Sequence, residues 1–192
     1  GAKARPRSGP GGNDEAMISL QAIGSYVPES SLPLADMKSR WDVTEDFLAN
    51  KTGVTHVTRK LEGEDTSDMC VKAFAALAAR TGIEGGDIDC VIVCTQNPDG
   101  HGIPHTSARV HGKLGLAETC ASFDISLGCS GYVYGLSIIT SFMESAGLER
   151  GVLFTGDPYS KILDPDDKNT MLLFGDAATA TLFGPADGAG GW

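Results

Sequence analysis

The sequence predicts an α/β fold, a parallel or mixed sheet layered with helices, and three observations carry that expectation. Short apolar runs rich in Val and Ile alternate with longer runs of helical periodicity. Gly and Ala are plentiful while aromatics are only 7% of residues, which suits close packing of helices on a sheet. A glycine-flanked turn, Gly128-Cys129-Ser130-Gly131, joins a strand-like run to a helix-like one. At 192 residues and 41% hydrophobic content the chain can bury a real core, and one domain over 16–192 is the natural expectation.

The elements follow in order. Gly1 to Glu15 is rich in Gly, Pro and charge and has no apolar period, so it reads as a disordered leader or a cloning remnant. Met17 to Ile23 alternates apolar and polar side chains as a first strand, ended by Gly24 and Pro28. Leu34–Met37 and Glu45–Leu48 read as short helices with Ser31 and Thr44 as N-caps, and Gly53 closes that region with a turn. Between Thr66 and Arg80, Met69, Ala73, Phe74, Leu77 and Ala78 fall on one helical face, and Gly82 stands where a C′ residue belongs. Ile88 to Thr95 is a continuous apolar run, as in a strand covered on both faces, and Gln96 to Pro104 is a Gly- and Pro-rich loop. A helix over Thr106–Leu114 stops at Gly115; a strand over Ala121–Ile125 precedes a buried helix over Tyr132–Ala146. Gly151–Thr155 and Met171–Phe183 are further β signals, separated by the polar loop Pro158–Lys168.

Charge and cysteine content narrow the function. A net charge of −10 with no basic cluster argues against binding nucleic acid. The longest apolar run, Tyr132 to Met143, is too short to cross a membrane and carries Ser and Thr. Five cysteines, an odd number at low density, point to a reducing, cytoplasmic setting.

Of these cysteines, Cys129 is the candidate nucleophile. It sits between strand and helix, where glycines permit a tight turn and close substrate approach, and where the helix N-terminus favours a thiolate. Cys70, Cys90, Cys94 and Cys120 lie within or beside apolar runs and read as small core residues. In an open α/β sheet ligands bind beyond the carboxyl ends of strands, so the loop after Thr95 is expected to share a site with Cys129.

Other chemistry-bearing residues read as structural. His101, His105 and His111 lack a helix to align them and a fourth ligand, so no metal site is expected. Asp164, Asp166 and Asp167 lack the glycine and terminal Glu of a calcium loop. Asp176 follows a tight glycine turn and reads as structural rather than as an acid. The glycines near Cys129 are spaced Gly-x-x-Gly-x-x-x-Gly and make no dinucleotide fingerprint, and no cofactor is expected.

Three ordered motifs, Gly24-Ser25-Tyr26-Val27-Pro28, Gly128-Cys129-Ser130-Gly131 with the following Tyr-Val-Tyr-Gly-Leu, and Phe174-Gly175-Asp176-Ala177-Ala178, together resemble the β-ketoacyl-ACP synthase III family. The resemblance runs from Met17 to about Gly184 and implies a thiolase-like fold. It further implies that this chain matches the N-terminal half of that duplicated fold, the family's catalytic His and Asn lying in the other half.

The resemblance implies roles residue by residue. Cys129 matches the nucleophile that accepts an acyl group from a coenzyme A or acyl-carrier-protein thioester, before condensation with a malonyl-type thioester or transfer to another acceptor. Phe47 stands where the family often has a Trp that stacks on adenine, and Lys51 and Lys168 where it has Arg contacting the nucleotide. A ring face and positive charge are kept, while indole area and the bidentate fork are lost. Ile103 matches an apolar residue that reaches the neighbour's acyl pocket across a homodimer interface. The departures at Phe47, Lys51 and Lys168 suggest a member from polyketide or other specialised metabolism rather than the primer enzyme of fatty acid biosynthesis. Two other readings stand beside this one: a non-catalytic half or partner subunit, and a cysteine-dependent thioester hydrolase.

Overall fold

The computed structural model describes residues 17–186, so the expected leader falls outside the described residues. In chain order the elements are β1 (Ile18–Tyr26), β2 (Ser31–Pro33), α1 (Lys38–Trp41), α2 (Glu45–Phe47), β3 (His56–Thr58), α3 (Thr66–Thr81), β4 (Cys90–Cys94), α4 (Thr106–Leu114), β5 (Ala121–Ile125), α5 (Gly131–Ala146), β6 (Gly151–Gly156), α6 (Lys168–Met171) and β7 (Ala178–Pro185). A five-stranded sheet runs β1-β7-β6-β4-β5. Strand β4 pairs in parallel with β5 and β6, whereas β7 is antiparallel to both β6 and β1, so the sheet is mixed.

Every residue of β4 is buried because each face has its own helical cover. Val91 and Val93 point into a core shared with Met69, Phe74 and Leu77 of α3 and Val110 of α4. Cys90, Ile92 and Cys94 point the other way, against Ile139 and Met143 of α5. A smaller third cluster, built on Leu34, Trp41, Val43, Leu48, Val57 and Leu172, holds the β2–β3 hairpin and the short helices around it.

The predicted helix termini are observed where their chemistry is local. Gly82 ends α3 in the left-handed region at φ +72°, and its start, for which the sequence suggested no cap, is closed by a capping box of Asp65 and Asp68. The Thr44 hydroxyl accepts from Phe47 N–H, as expected of an N-cap. Gly115 ends α4 at φ +63°.

Four expectations are corrected. Strand β1 runs through Gly24 to Tyr26, since a Cβ at Gly24 would collide with the α3 backbone at Ala73 and Leu77: this glycine admits a helix rather than ending a strand. Ser31 caps nothing; it pairs with Thr58 in the small hairpin. Helix α5 is not buried all round, because its fully buried stripe is Gly131, Gly135, Ile139 and Met143 while Val133 and Tyr134 are 67% and 58% exposed. The β signal from Met171 begins late, at Ala178. Asp167 instead caps the short α6 at Asn169 N–H, and Asp176 N–H bonds Thr58 O outside the sheet ladder.

Candidate functional site

Register assembles the site. Cys94 at the end of β4 is paired with Ile125 of β5 and with Thr155 of β6, so the chain leaves all three parallel strands at one level. The segments beginning at Thr95, Ser126 and Asp157 therefore gather on one edge, where an open sheet offers a crevice.

Cys129 stands in the middle segment and is the exposed member of the five free cysteines. Ser130 gives α5 no side-chain cap, which leaves first-turn N–H groups beside the thiol without a side-chain acceptor. Both flanking glycines are required by close approach. A Cβ at Gly128 would lie 2.6 Å from Gln96 Oε1, and one at Gly131 would collide with Cys94 Sγ. The other four thiols are buried. Burial pushes Cys90 up to about 12 and Cys120 to about 11, and raises Cys70 and Cys94 as well, with Asp157 adding to the effect at Cys94.

The segments on either side of Cys129 are locked by one carboxylate that the sequence did not single out. Asp157 Oδ1 accepts from Thr95 Oγ1 (3.1 Å), Gln96 N–H (2.7 Å), Asn97 N–H (3.1 Å) and Asn97 Nδ2 (3.0 Å). Tyr159, two residues on, donates its hydroxyl to Gln96 Oε1 at 3.1 Å and stacks on Phe174 with ring centroids 4.7 Å apart. Burial raises the Tyr159 phenol above its ordinary value, and negative charge at Asp157 and Cys129 adds to it. Gln96, Asp157 and Tyr159 carried no motif; their only signal was their place just past the strand ends.

The loop from Asn97 to His105 is tethered at its base and projects at its tip. Asp99 is buried and accepts from Ser67 N–H (2.8 Å) and Ser67 Oγ (2.6 Å). Lys161 Nζ donates to Asp65 (2.6 Å) and to Pro98 O (2.7 Å). Asp124 of β5 closes the far end by accepting from Thr106 and Ser107 N–H at the start of α4. Ile103 stands clear of these tethers and is 87% exposed.

Phe47, Lys51 and Lys168 all belong to the third cluster's neighbourhood. Phe47 packs half-buried against that cluster, Lys51 follows it one turn later on the exposed side, and exposed Lys168 opens α6, whose Met171 packs on the same cluster. The two lysines are thus carried by one structural unit, and α6 leads through Phe174 to Tyr159 at the Cys129 edge. Asp176 is fully buried: it accepts from Lys60 N–H (2.7 Å), Ser160 N–H (3.0 Å) and the Ser160 hydroxyl, and so ties strand β3's exit to the Tyr159 segment. The aspartates of the preceding loop are structural too, with Asp166 pairing with Arg40 at 3.0 Å and Asp167 capping α6. Among the described residues no group of three or more His, Cys, Asp or Glu is placed to hold a metal, and no helix is long and apolar enough to cross a membrane.

A parallel-strand edge with an exposed, glycine-flanked cysteine at a helix start defines a thiolase-like α/β chain. The solved structures of that fold agree. A 3-oxoacyl-(acyl-carrier-protein) synthase III superposes with a TM-score of 0.85 at 31% identity, covering 91% of this chain and 52% of its own. The priming β-ketosynthase of the R1128 polyketide pathway gives a TM-score of 0.83 at 27% identity, covering 94% of this chain and 53% of its own. The family model for 3-oxoacyl-[acyl-carrier-protein] synthase III matches residues 123–192. The β-ketoacyl-[acyl-carrier-protein] synthase III of Sulfurovum sp. strain NBC37-1 is 38% identical over 170 residues, which is 88% of this chain and 49% of that protein. The chain is thus similar over most of its own length to β-ketoacyl-[acyl-carrier-protein] synthase III proteins and spans about half the length of the relatives it matches.

Proposed function

We propose that this chain carries the nucleophile of a ketosynthase III-type acyltransferase, with Cys129 as the acyl acceptor. The single observation that supports the reading best is the contrast in burial: Cys129 is exposed at a helix start on the strand-end crevice while the other four thiols are enclosed. The Cys129 thiolate attacks the carbonyl of a coenzyme A or carrier-protein thioester. A new C–S bond forms, the carbonyl oxygen takes the charge beside backbone N–H groups, and collapse expels the donor thiolate. A carbanion released by decarboxylation of a malonyl-type thioester then attacks the acyl-enzyme and frees Cys129.

Phe47, Lys51 and Lys168 are proposed to bind the nucleotide end of the donor. The ring offers a stacking face and the lysines point charges for phosphate, with a weaker grip than Trp and Arg would give. Ile103, exposed on its tethered loop, is proposed to meet a second copy of the protein in a homodimer. Proton management is assigned to a His and an Asn outside this chain, in the half of the family fold that the chain does not span. The setting is proposed to be cytoplasmic.

Intact mass after incubation with an acyl-coenzyme A tests the reading, using protein with its native flanking sequence restored. The expected result is a stable gain of one acyl group on Cys129. Release of free acid without an adduct would favour hydrolysis, and absence of both adduct and turnover would favour a non-catalytic half.

A further inference from the structure

We propose that Gln96 and Tyr159 form a hydrogen-bonded specificity pair beside Cys129 that favours acyl groups bearing a neutral oxygen acceptor near the thioester over plain alkyl chains. The inference rests on the acyl-transfer reading of Cys129 and concerns which acyl group that thiol receives.

Three features of the pair support it. It lies on the thiol's own turn, since Gln96 Oε1 approaches within 2.6 Å of where a Cβ of Gly128 would stand. Its amide is oriented: the Tyr159 hydroxyl donates into Oε1 at 3.1 Å, so the two N–H groups of Nε2 form the free end of an exposed side chain. Both partners are also held from behind. The Gln96 backbone N–H is bonded to Asp157 at 2.7 Å, and the Tyr159 ring is stacked on Phe174, next to Ser160 bound by buried Asp176. A long amide side chain held in this way meets a ligand with little further loss of rotamer freedom.

The chemistry of the acceptor follows from what surrounds the pair. An alkyl chain laid against Nε2 strips water from two donors and returns nothing, whereas a hydroxyl or carbonyl oxygen on the acyl group accepts from them. A carboxylate is disfavoured, because the Asp157 carboxylate sits directly behind Gln96 and already raises the Tyr159 phenol by its charge.

The test compares acylation rates of Cys129 by 3-hydroxybutyryl-coenzyme A and butyryl-coenzyme A, of equal chain length, in protein with its native flanking sequence. The unsubstituted protein should favour the hydroxyacyl donor. Gln96→Leu and Gln96→Glu should each lower that ratio by about tenfold or more, which corresponds to about 1.4 kcal/mol. Gln96→Glu is decisive, because a carboxylate still accepts from Tyr159 but has no N–H to offer; a merely structural role would leave its ratio where it was. Tyr159→Phe, which keeps the ring stack and releases the amide, should lower the ratio about threefold. A ratio within about twofold of the parent's in both Gln96 variants would overturn the proposal while leaving the acyl-transfer reading intact. No adduct from either donor in the unsubstituted protein would overturn both.

Discussion

Cys94 presses its sulfur against Gly131 and Cys129 precedes that glycine by two residues, yet the fold treats them as different chemical groups. Cys94 ends a strand packed on both faces, donates to Leu127 O at 3.4 Å and is held neutral by burial. Cys129 tops a turn that its glycines make possible, at the start of α5 and open to solvent. A shared glycine therefore teaches little about reactivity. Burial against exposure decides it.

The largest expected effect is in alkylation of the native protein. At pH 8 a thiol with a value of about 12, as at Cys90, is ionised in roughly one molecule in ten thousand, and its burial further blocks a reagent. Iodoacetamide should label Cys129 alone in the folded state and all five cysteines in urea. Peptide mapping showing native labelling at Cys94 would erase the contrast.

Gly131→Ala sharpens the same comparison. Its new methyl collides with Cys94 Sγ and stands 3.2 Å from Leu127 Cβ, so a loss of about 1–3 kcal/mol is expected from overpacking. Adding Cys94→Ala removes the sulfur and should return part of that loss, a coupling readable in a double-mutant cycle of urea midpoints. Strict additivity would mean that the two sites do not touch. Gly128→Ala should be milder, because the atom it meets is the end of the Gln96 side chain.

A smaller effect is expected at alkaline pH. The buried Cys90 thiol stays neutral in the folded state, while an unfolded thiol ionises above about 8.5, so ionisation favours the unfolded chain as pH rises. This contribution is fully present below about pH 8.5 and is lost as pH rises towards about 12; by pH 9.5 about 1.4 kcal/mol of it is lost. Cys90→Ala should flatten the fall in stability between pH 8 and pH 9.5, measured from urea midpoints. An unchanged slope would show that this thiol is not sealed from solvent.

The legible parts of this molecule were those with local chemistry. Apolar runs announced β4 and β5, Gly82 closed α3 as its position suggested, and the glycine-flanked motif announced the strand-to-helix turn that carries Cys129. The parts that were missed depend on residues brought together from a distance. Asp157 is sixty residues from the Gln96–Asn97 backbone it locks, Tyr159 and Gln96 meet only because β4 and β6 share a register, and Gly24 looked like a strand end because the helix it admits lies about fifty residues on. The early end expected for β1 and the early start expected for β7 share that cause, since helix contacts and side-chain tethers outside the ladder set both limits.

The decisive contrast is acylation at Cys129 and not at Cys94, whose sulfur faces Gly131. The direct measurement is peptide-mapped intact mass of the Cys129→Ala and Cys94→Ala proteins after exposure to an acyl-coenzyme A, with native flanking sequence present. One acyl group on Cys129 is expected in the Cys94→Ala protein and none in the Cys129→Ala protein. Equal acylation of the two variants would overturn the assignment of Cys129.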